Sequence, residues 1–515
     1  MASFNRSLSA LLVSAAGLSA CTGFVAGAGA APVEVYEATI PELQRAMEAG
    51  RVTSAELVDA YLARIEAFDR RGPEISAVLT INPHARAEAD RLDRERAERG
   101  PRGPLHGIPV LMKDNYDTFD MPTSAGSVAL AQHQPRSDAY QVRRLREAGA
   151  VILGKTNLHE LAYGITTISS AGGQTRNPYV LARNPGGSSG GTGAAVAASF
   201  AAIGWGSDTC GSIRIPATHN SLVGLRPTKG LSSIGGIIPL AATQDVGGPL
   251  ARTVTDLAIG LDATIGPDPA DPATAVLAGR PLPRFVDALT GATLRGSRVG
   301  LFLPLLGTAP EDEQVAAIVR RAVEEMGAAG AEVVEIDVPD FTDLIGGTSL
   351  IDAEFKWNLI DYLARTPDAP VGSLTEILER GLFHPEVESR LRNSDRHASR
   401  EPEGYRDALA KREVVRERMI RLFEENRLDA LAYPTIRRIA AVIGEPAPGS
   451  NCQLSATTGM PALTVQAGFS EEGVPVGIEL LGLPFRDAEL VALGYAYEQA
   501  TRHRRPPAST PPLAR

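Results

Sequence analysis

Asn184–Ala217, NPGGSSGGTGAAVAASFAAIGWGSDTCGSIRIPA, decides how the rest of the chain is read. Ser188 and Ser212 sit among glycines, with Ala-rich apolar residues between them. Glycine takes backbone dihedrals that other residues resist and lets N–H groups crowd a ligand. A serine so placed presents its hydroxyl beside a nest of N–H donors, the surroundings that acyl transfer needs. Alone, GGSSGG has the composition of a flexible linker. A linker does not normally flank an apolar stretch such as Gly193–Trp205, which reads as a packed helix running into a strand. A second small-residue knot, CGSIRIPA, then follows at Cys210–Ala217.

Outward from this stretch, helix and strand patterns alternate. Upstream, Thr53–Asp69 is amphipathic: Thr53 and Glu56 form a T-x-x-E capping box, and Leu57, Tyr61, Leu62, Ile65 and Phe68 recur at helical spacing. Ile75–Ile81 reads as a strand, Pro83–Glu98 as a surface helix, Ile108–Met112 as a short strand ending at Lys113-Asp114-Asn115, Ser137–Ala148 as a helix and Val151–Leu153 as a buried strand. Downstream, Pro267–Pro283 reads as a surface connection, Arg298–Leu303 as a strand and Glu311–Gly330 as a helix. Residues 342–426 are mostly helical, Leu428–Tyr433 and Leu463–Gln466 return to strand, and Asp487–Arg502 closes with a helix. Such alternation argues for an α/β layered sheet. One large catalytic domain, 32–515, with a helical subregion at about 342–426, is the expected organisation.

The chain has 515 residues, 43% hydrophobic and 22% charged, in the range of ordinary globular proteins. A net charge of −10 without a basic run makes nucleic-acid binding a poor reading. Eight histidines occur without HExxH or zinc-type Cys/His spacing; His159-Glu160 does not complete such a motif, and no metal is expected. Three cysteines, an odd number, argue against a disulfide framework. Cys210 and Cys452 are therefore expected to be free and packed, pairing only if the fold brings them together.

Residues 1–31 read as a secretory signal peptide: Arg6, an apolar Leu8–Leu18 too short to span a bilayer, then small residues. Leu18-Ser19-Ala20-Cys21 resembles the bacterial lipobox, which would lipidate Cys21; cleavage after Ala28-Gly29-Ala30 is the alternative. Both lead to an exported protein, periplasmic or anchored to a bacterial membrane as a lipoprotein.

GGSSGG, SDTCGSIRIPA, GLRPTKG at Gly224–Gly230 and QDVGGPLAR at Gln244–Arg252 follow one another as they do in the amidase signature family of serine hydrolases, which the chain resembles from about Val35 to Pro507. GPLHGIPVLMKDN at Gly103–Asn115, GGQTRNPY at Gly172–Tyr179 and GYAYEQATRHRRPP at Gly494–Pro507 make it most like bacterial peptide amidases. The resemblance implies a large mixed β-sheet flanked by helices on both faces, with the helical subregion over the active site. It implies a Ser–cis-Ser–Lys triad made of Ser212 as nucleophile, Ser188 as bridge after a cis Gly187–Ser188 peptide, and Lys113 as base. It places the oxyanion loop at Thr209, Cys210, Gly211 and Ser212. The family commonly has glycine where Cys210 stands, so the side chain narrows that loop's dihedrals while its N–H remains.

The chemistry suits those residue types. An exposed lysine titrates near pH 10.4 and is a poor base at neutral pH, but burial disfavours the ammonium. A neutral Lys113 could take the proton of Ser212 through the Ser188 hydroxyl, which both donates and accepts. No cofactor is needed. Ser189 and Asp208 are expected to tie the two loops by hydrogen bonds, and Arg214 to pair with a carboxylate. Cys210 is expected to contribute only its N–H, since no motif places a histidine to activate its thiol. The expected reaction is hydrolysis of a carboxamide to acid and ammonia, on C-terminal peptide amides or alternatively on small aryl or alkyl amides or esters. An amidotransferase-type glutaminase subunit and a non-catalytic binding lipoprotein are the readings from other classes.

Overall fold

In the computed structural model, residues 34–366 and 368–513 are described. The expected leader, residues 1–31 with Cys21, lies outside them. The first strong local signal holds. The Thr53 hydroxyl accepts the Glu56 N–H while the Glu56 carboxylate accepts the Thr53 N–H, opening the helix Ser54–Arg64, which buries Leu57, Val58 and Tyr61. The helix widens into one π-type turn at Ile65–Arg70 before the chain enters the sheet.

Eleven strands form that sheet. Their spatial order is Val78–Ile81, Val151–Thr156, Pro109–Lys113, Ile203–Asp208, Val246–Ala251, Val223–Arg226, Ala462–Phe469, Pro475–Leu481, Ala430–Pro434, Arg298–Phe302 and Glu332–Ile336. Pairing is parallel at Val151–Thr156/Pro109–Lys113/Ile203–Asp208 and again at the Glu332–Ile336 end, antiparallel through the middle. The central strands are buried at every position, as a sheet covered on both faces requires. Helices Gly190–Ala197 and Arg214–His219 pack together against it, and helices Val254–Thr264 and Asp487–Thr501 form another packed group.

The neighbouring parallel strands Pro109–Lys113 and Ile203–Asp208 end at the same edge. Carboxyl ends of parallel strands are where open α/β sheets bind their ligands. The helix Gly190–Ala197, which begins directly after Ser188-Ser189, packs against both strands and starts at that edge. Gly206 permits this closeness: a Cβ there would stand 2.7 Å from the Ser189 Oγ. Residues 341–426 contain the helices Phe341–Ile345, Ile351–Leu363, Leu374–Glu379, Glu388–Asp395 and Tyr405–Asn426. Phe355, Leu359, Leu374 and Ile377 from this segment share one apolar cluster with Ala125, Leu158, Leu161 and Ile238 from loops of the sheet.

Candidate active site

Lys113 ends its strand with its side chain wholly out of water. Its Nζ lies 2.8 Å from Ser188 Oγ, 2.9 Å from Ser207 Oγ and 3.4 Å from the Ser207 carbonyl. Asn115 Nδ2 donates to the same Ser207 hydroxyl at 3.0 Å. The Gly187–Ser188 peptide is cis. Ser189 joins the two serine loops twice: its N–H donates to the Ser212 carbonyl at 3.2 Å and its hydroxyl to the Ser207 carbonyl at 3.2 Å. Ser212 is buried at the start of the turn into helix Arg214–His219. No hydrogen bond joins the Ser188 and Ser212 hydroxyls in this conformation; in enzymes without substrate such contacts are commonly long.

Burial pushes the Lys113 ammonium down to about 7, against the opposing fields of Asp208 and Asp245. A neutral amine has two N–H bonds and one lone pair. Three contacts surround Lys113: two oxygens of Ser207, which accept, and the Ser188 hydroxyl, which can donate. The neighbourhood is therefore built for the uncharged form, and it leaves Ser188 able to relay a proton. His159, whose backbone N–H donates to the Ser188 carbonyl at 2.9 Å, is driven down to about 3 by its burial and stays neutral.

Asp208 organises the loop that follows its strand. One carboxylate oxygen accepts the Gly211 N–H at 2.8 Å, and the other accepts the Ile213 N–H at 3.1 Å. Arg214 and Arg226 pair with it at 3.1 and 3.0 Å, and Arg214 also binds the buried Glu479. Burial opposes the charge of Asp208, but the two guanidinium groups outweigh it and hold the carboxyl below the usual carboxylate range. Arg214 thus pairs with two carboxylates. Gly211, expected in the oxyanion loop, has its N–H engaged by Asp208, whereas the N–H groups of Cys210 and Ser212 have no hydrogen-bond partner among the described residues. The Thr209 hydroxyl donates to Asp245, and its carbonyl accepts from Gln244 Nε2 at 3.3 Å.

The expectation of free cysteines is overturned. Cys210 and Cys452 form a disulfide across 242 residues of sequence, with Cα atoms 4.9 Å apart. The count that argued against pairing included Cys21 of the expected leader; the other two cysteines are brought together by the fold. A disulfide sulfur has no thiolate to offer, which removes Cys210 as a nucleophile on chemical grounds.

The family model for Amidase matches residues 56–491. The chain belongs to the amidase family. As an amidase it is an enzyme of amide C–N bond hydrolysis. It is similar to the native peptide amidase of Stenotrophomonas maltophilia, with 42% identity and a TM-score of 0.85 over 92% of this chain and 98% of that one. It is 38% identical to a glutamyl-tRNA(Gln) amidotransferase subunit from Moorella thermoacetica over 92% of this chain and 99% of the relative. It is 36% identical to a probable amidase of Arabidopsis thaliana, covering 92% of each.

Four residues that this amidase places around the triad candidates escaped the sequence reading: Ser207, Arg226, Gln244 and Asp245. The last three lie in GLRPTKG and QDVGGPLAR, so their positions were marked though their contacts were not. Ser207 carried no signal beyond standing before Asp208. A cavity of about 710 Å³ between helix Ile351–Leu363 and the Ile234–Ile237 loop includes none of Lys113, Ser188 or Ser212 in its wall. Size alone does not mark the site.

Proposed function

We propose that this amidase hydrolyses a primary carboxamide to a carboxylic acid and ammonia through an acyl-enzyme on Ser212, with C-terminally amidated peptides as the substrate class. The buried Lys113, 2.8 Å from the Ser188 hydroxyl and pushed down to about 7, is the observation that carries this reading. Neutral Lys113 draws the proton of Ser188 as Ser188 draws that of Ser212. Ser212 Oγ attacks the amide carbon. The oxyanion meets the free N–H groups of Cys210 and Ser212, in a loop braced by Asp208. The proton returns through Ser188 to the leaving nitrogen, ammonia departs, and water, deprotonated along the same relay, frees the acid. The likeness to a solved peptide amidase supports the substrate class.

Export is part of the proposal. The reading of residues 1–31 supports it, and so does the Cys210–Cys452 disulfide, since such bonds persist in oxidising compartments. The lipobox-like Leu18–Cys21 supports a lipid-anchored start at Cys21. The similarity to an amidotransferase subunit keeps glutamine in the test.

One preparation decides these points. The mature protein is labelled with a fluorophosphonate, digested and read by mass spectrometry, and ammonia release is followed over amidated dipeptides, glutamine, benzamide and an aryl acylamide. The expected results are label on Ser212, turnover of amidated dipeptides above the rest, and a lipidated Cys21 at the N-terminus. Label on Ser188 or Ser189 with none on Ser212 overturns the roles. Turnover confined to glutamine favours the amidotransferase reading, and no label at all a binding protein. An unmodified start near Ala31 removes the anchor and leaves export standing.

A further inference from the structure

We infer that the Cys210–Cys452 disulfide is a positioning element of catalysis: it holds the Cys210 N–H where the oxyanion forms, so turnover depends on the bond being oxidised. This rests on the reading of Ser212 as nucleophile. Each neighbour of Cys210 in the loop after strand Ile203–Asp208 has its own hydrogen-bonded tie. Thr209 is fixed through its hydroxyl to Asp245 and through its carbonyl to Gln244. Gly211 is fixed through its N–H to Asp208, and Ser212 through its carbonyl to Ser189. Cys210 has no backbone hydrogen bond among the described residues. Its N–H is held only indirectly, through the Thr209 carbonyl in the same planar peptide unit, and its side chain is tied by the sulfur bond.

The partner end is well anchored. Asn451, next to Cys452, donates from Nδ2 to the carbonyls of Leu305 and Pro434 at 2.8 and 2.7 Å, and its N–H reaches the Thr435 carbonyl at 3.3 Å. Pro434 ends strand Ala430–Pro434, Thr435 follows it, and Leu305 closes the turn after strand Arg298–Phe302, all in the other half of the sheet. The disulfide therefore transmits the rigidity of that half to the Cα end of the peptide unit that carries the Cys210 N–H. Gly211 fits the same arrangement: it sits at φ +89°, and a Cβ on it would stand 3.0 Å from the Cys452 Cβ. The Cys210 N–H shares a planar peptide unit with the Thr209 carbonyl, which is held by long contacts of 3.3 Å to Gln244 Nε2 and 3.5 Å to Arg226 Nη1. Without the sulfur bond to fix its Cα end, that unit would tilt about these contacts and carry the N–H away from the developing charge. Misplacement on the scale of 1 Å costs about 10²-fold in well-oriented reactions. Both cysteines are half-buried, so a small reductant reaches them.

The test compares oxidised enzyme, enzyme treated with dithiothreitol, and Cys452→Ser, which leaves the loop sequence and the Cys210 N–H intact. Reduction passes two electrons from dithiothreitol to the disulfide; Cys210 and Cys452 each take a proton, and the reagent closes to its cyclic disulfide. Alkylation and mass spectrometry confirm the thiol state, and the melting transition confirms folding. Expected are a kcat lower by about 10- to 100-fold with KM changed less than about threefold, full recovery on reoxidation, and no response of Cys452→Ser to dithiothreitol. The double variant Cys210→Ala/Cys452→Ser should be no worse than the poorer single, because either change already breaks the bond. A folded, fully reduced enzyme with the oxidised kcat overturns the inference. If Cys452→Ser fails to fold, reversible reduction of the wild-type protein still decides it. The rate of fluorophosphonate labelling is measured in parallel. Label on another serine in the oxidised enzyme removes the Ser212 reading, while the ratio of oxidised to reduced labelling rates judges the clamp separately.

Discussion

Lys113 makes three contacts, all to serine oxygens and none to a carboxylate. A buried cation without a counter-ion relieves its desolvation by giving up its proton. In the proposed mechanism only the neutral form relays protons, so kcat/KM should climb about tenfold per pH unit below about 7 and flatten above it. The same shift speaks about stability. The folded value lies below the ordinary 10.5, so between about 7 and 10.5 the unfolded chain binds more protons and stability rises with pH. The penalty is complete below 7. Lys113→Met should therefore abolish the pH-dependent limb and raise the unfolding midpoint, by more at pH 6 than at pH 9; equal gains at both would refute the assignment. The approach of Lys113 to Ser188, and of the Ser188-Ser189 loop to Ser212, was legible because each of these residues stands in a motif that fixes its neighbours. Ser207 was not, because a serine before an aspartate looks like any other until the strand brings it under a lysine.

The helix Ile351–Leu363 shows how the helical segment is bound to the sheet. Phe355 meets Tyr163 edge-on at 5.2 Å, and near the helix end the Tyr362 hydroxyl donates to Asp117 while accepting from His133 Nε2 at 2.9 Å. Burial lifts the Asp117 carboxyl to about 7, and the Tyr362 hydrogen bond works against that rise. A folded value above the ordinary 3.8 means that stability falls as pH passes from about 4 to about 7. Tyr362→Phe removes a donor from the ionised form, so urea unfolding should show a loss of about 1–3 kcal/mol at pH 8 and a smaller one at pH 5. An equal loss at both values would mean that Asp117 is not the group relieved. Helices were the readable elements here because their apolar period survives at 342–426. Strand Glu332–Ile336 was passed over: it is the sheet's edge, four of its five residues are not buried, and two glutamates interrupt the pattern.

Across the whole molecule, Val223–Arg226, Val246–Ala251 and Pro475–Leu481, interrupted by glycine, proline, arginine or glutamate, offered no clear apolar run, while Pro109–Lys113, Val151–Thr156 and Ala430–Pro434 were readable from theirs. The order in which eleven strands pair was not, because pairings such as Thr464 with Gly224 join residues far apart in sequence. The Cys210–Cys452 bond belongs to the same class of fact. It closes a loop over 242 residues, which by restricting the unfolded chain contributes on the order of 5 kcal/mol. That loop contains every helix from Phe341 to Asn426. Inside it, Arg396 and Arg400 are exposed on the connection between helices Glu388–Asp395 and Tyr405–Asn426. A protease that cuts there makes two polypeptides but not two molecules. On a gel without reductant the nicked enzyme should run as one species, and with reductant as two; separation without reductant would show that the bond had never formed. The enzyme thus carries this exposed helical connection inside a covalent ring, where a single cut cannot release either fragment.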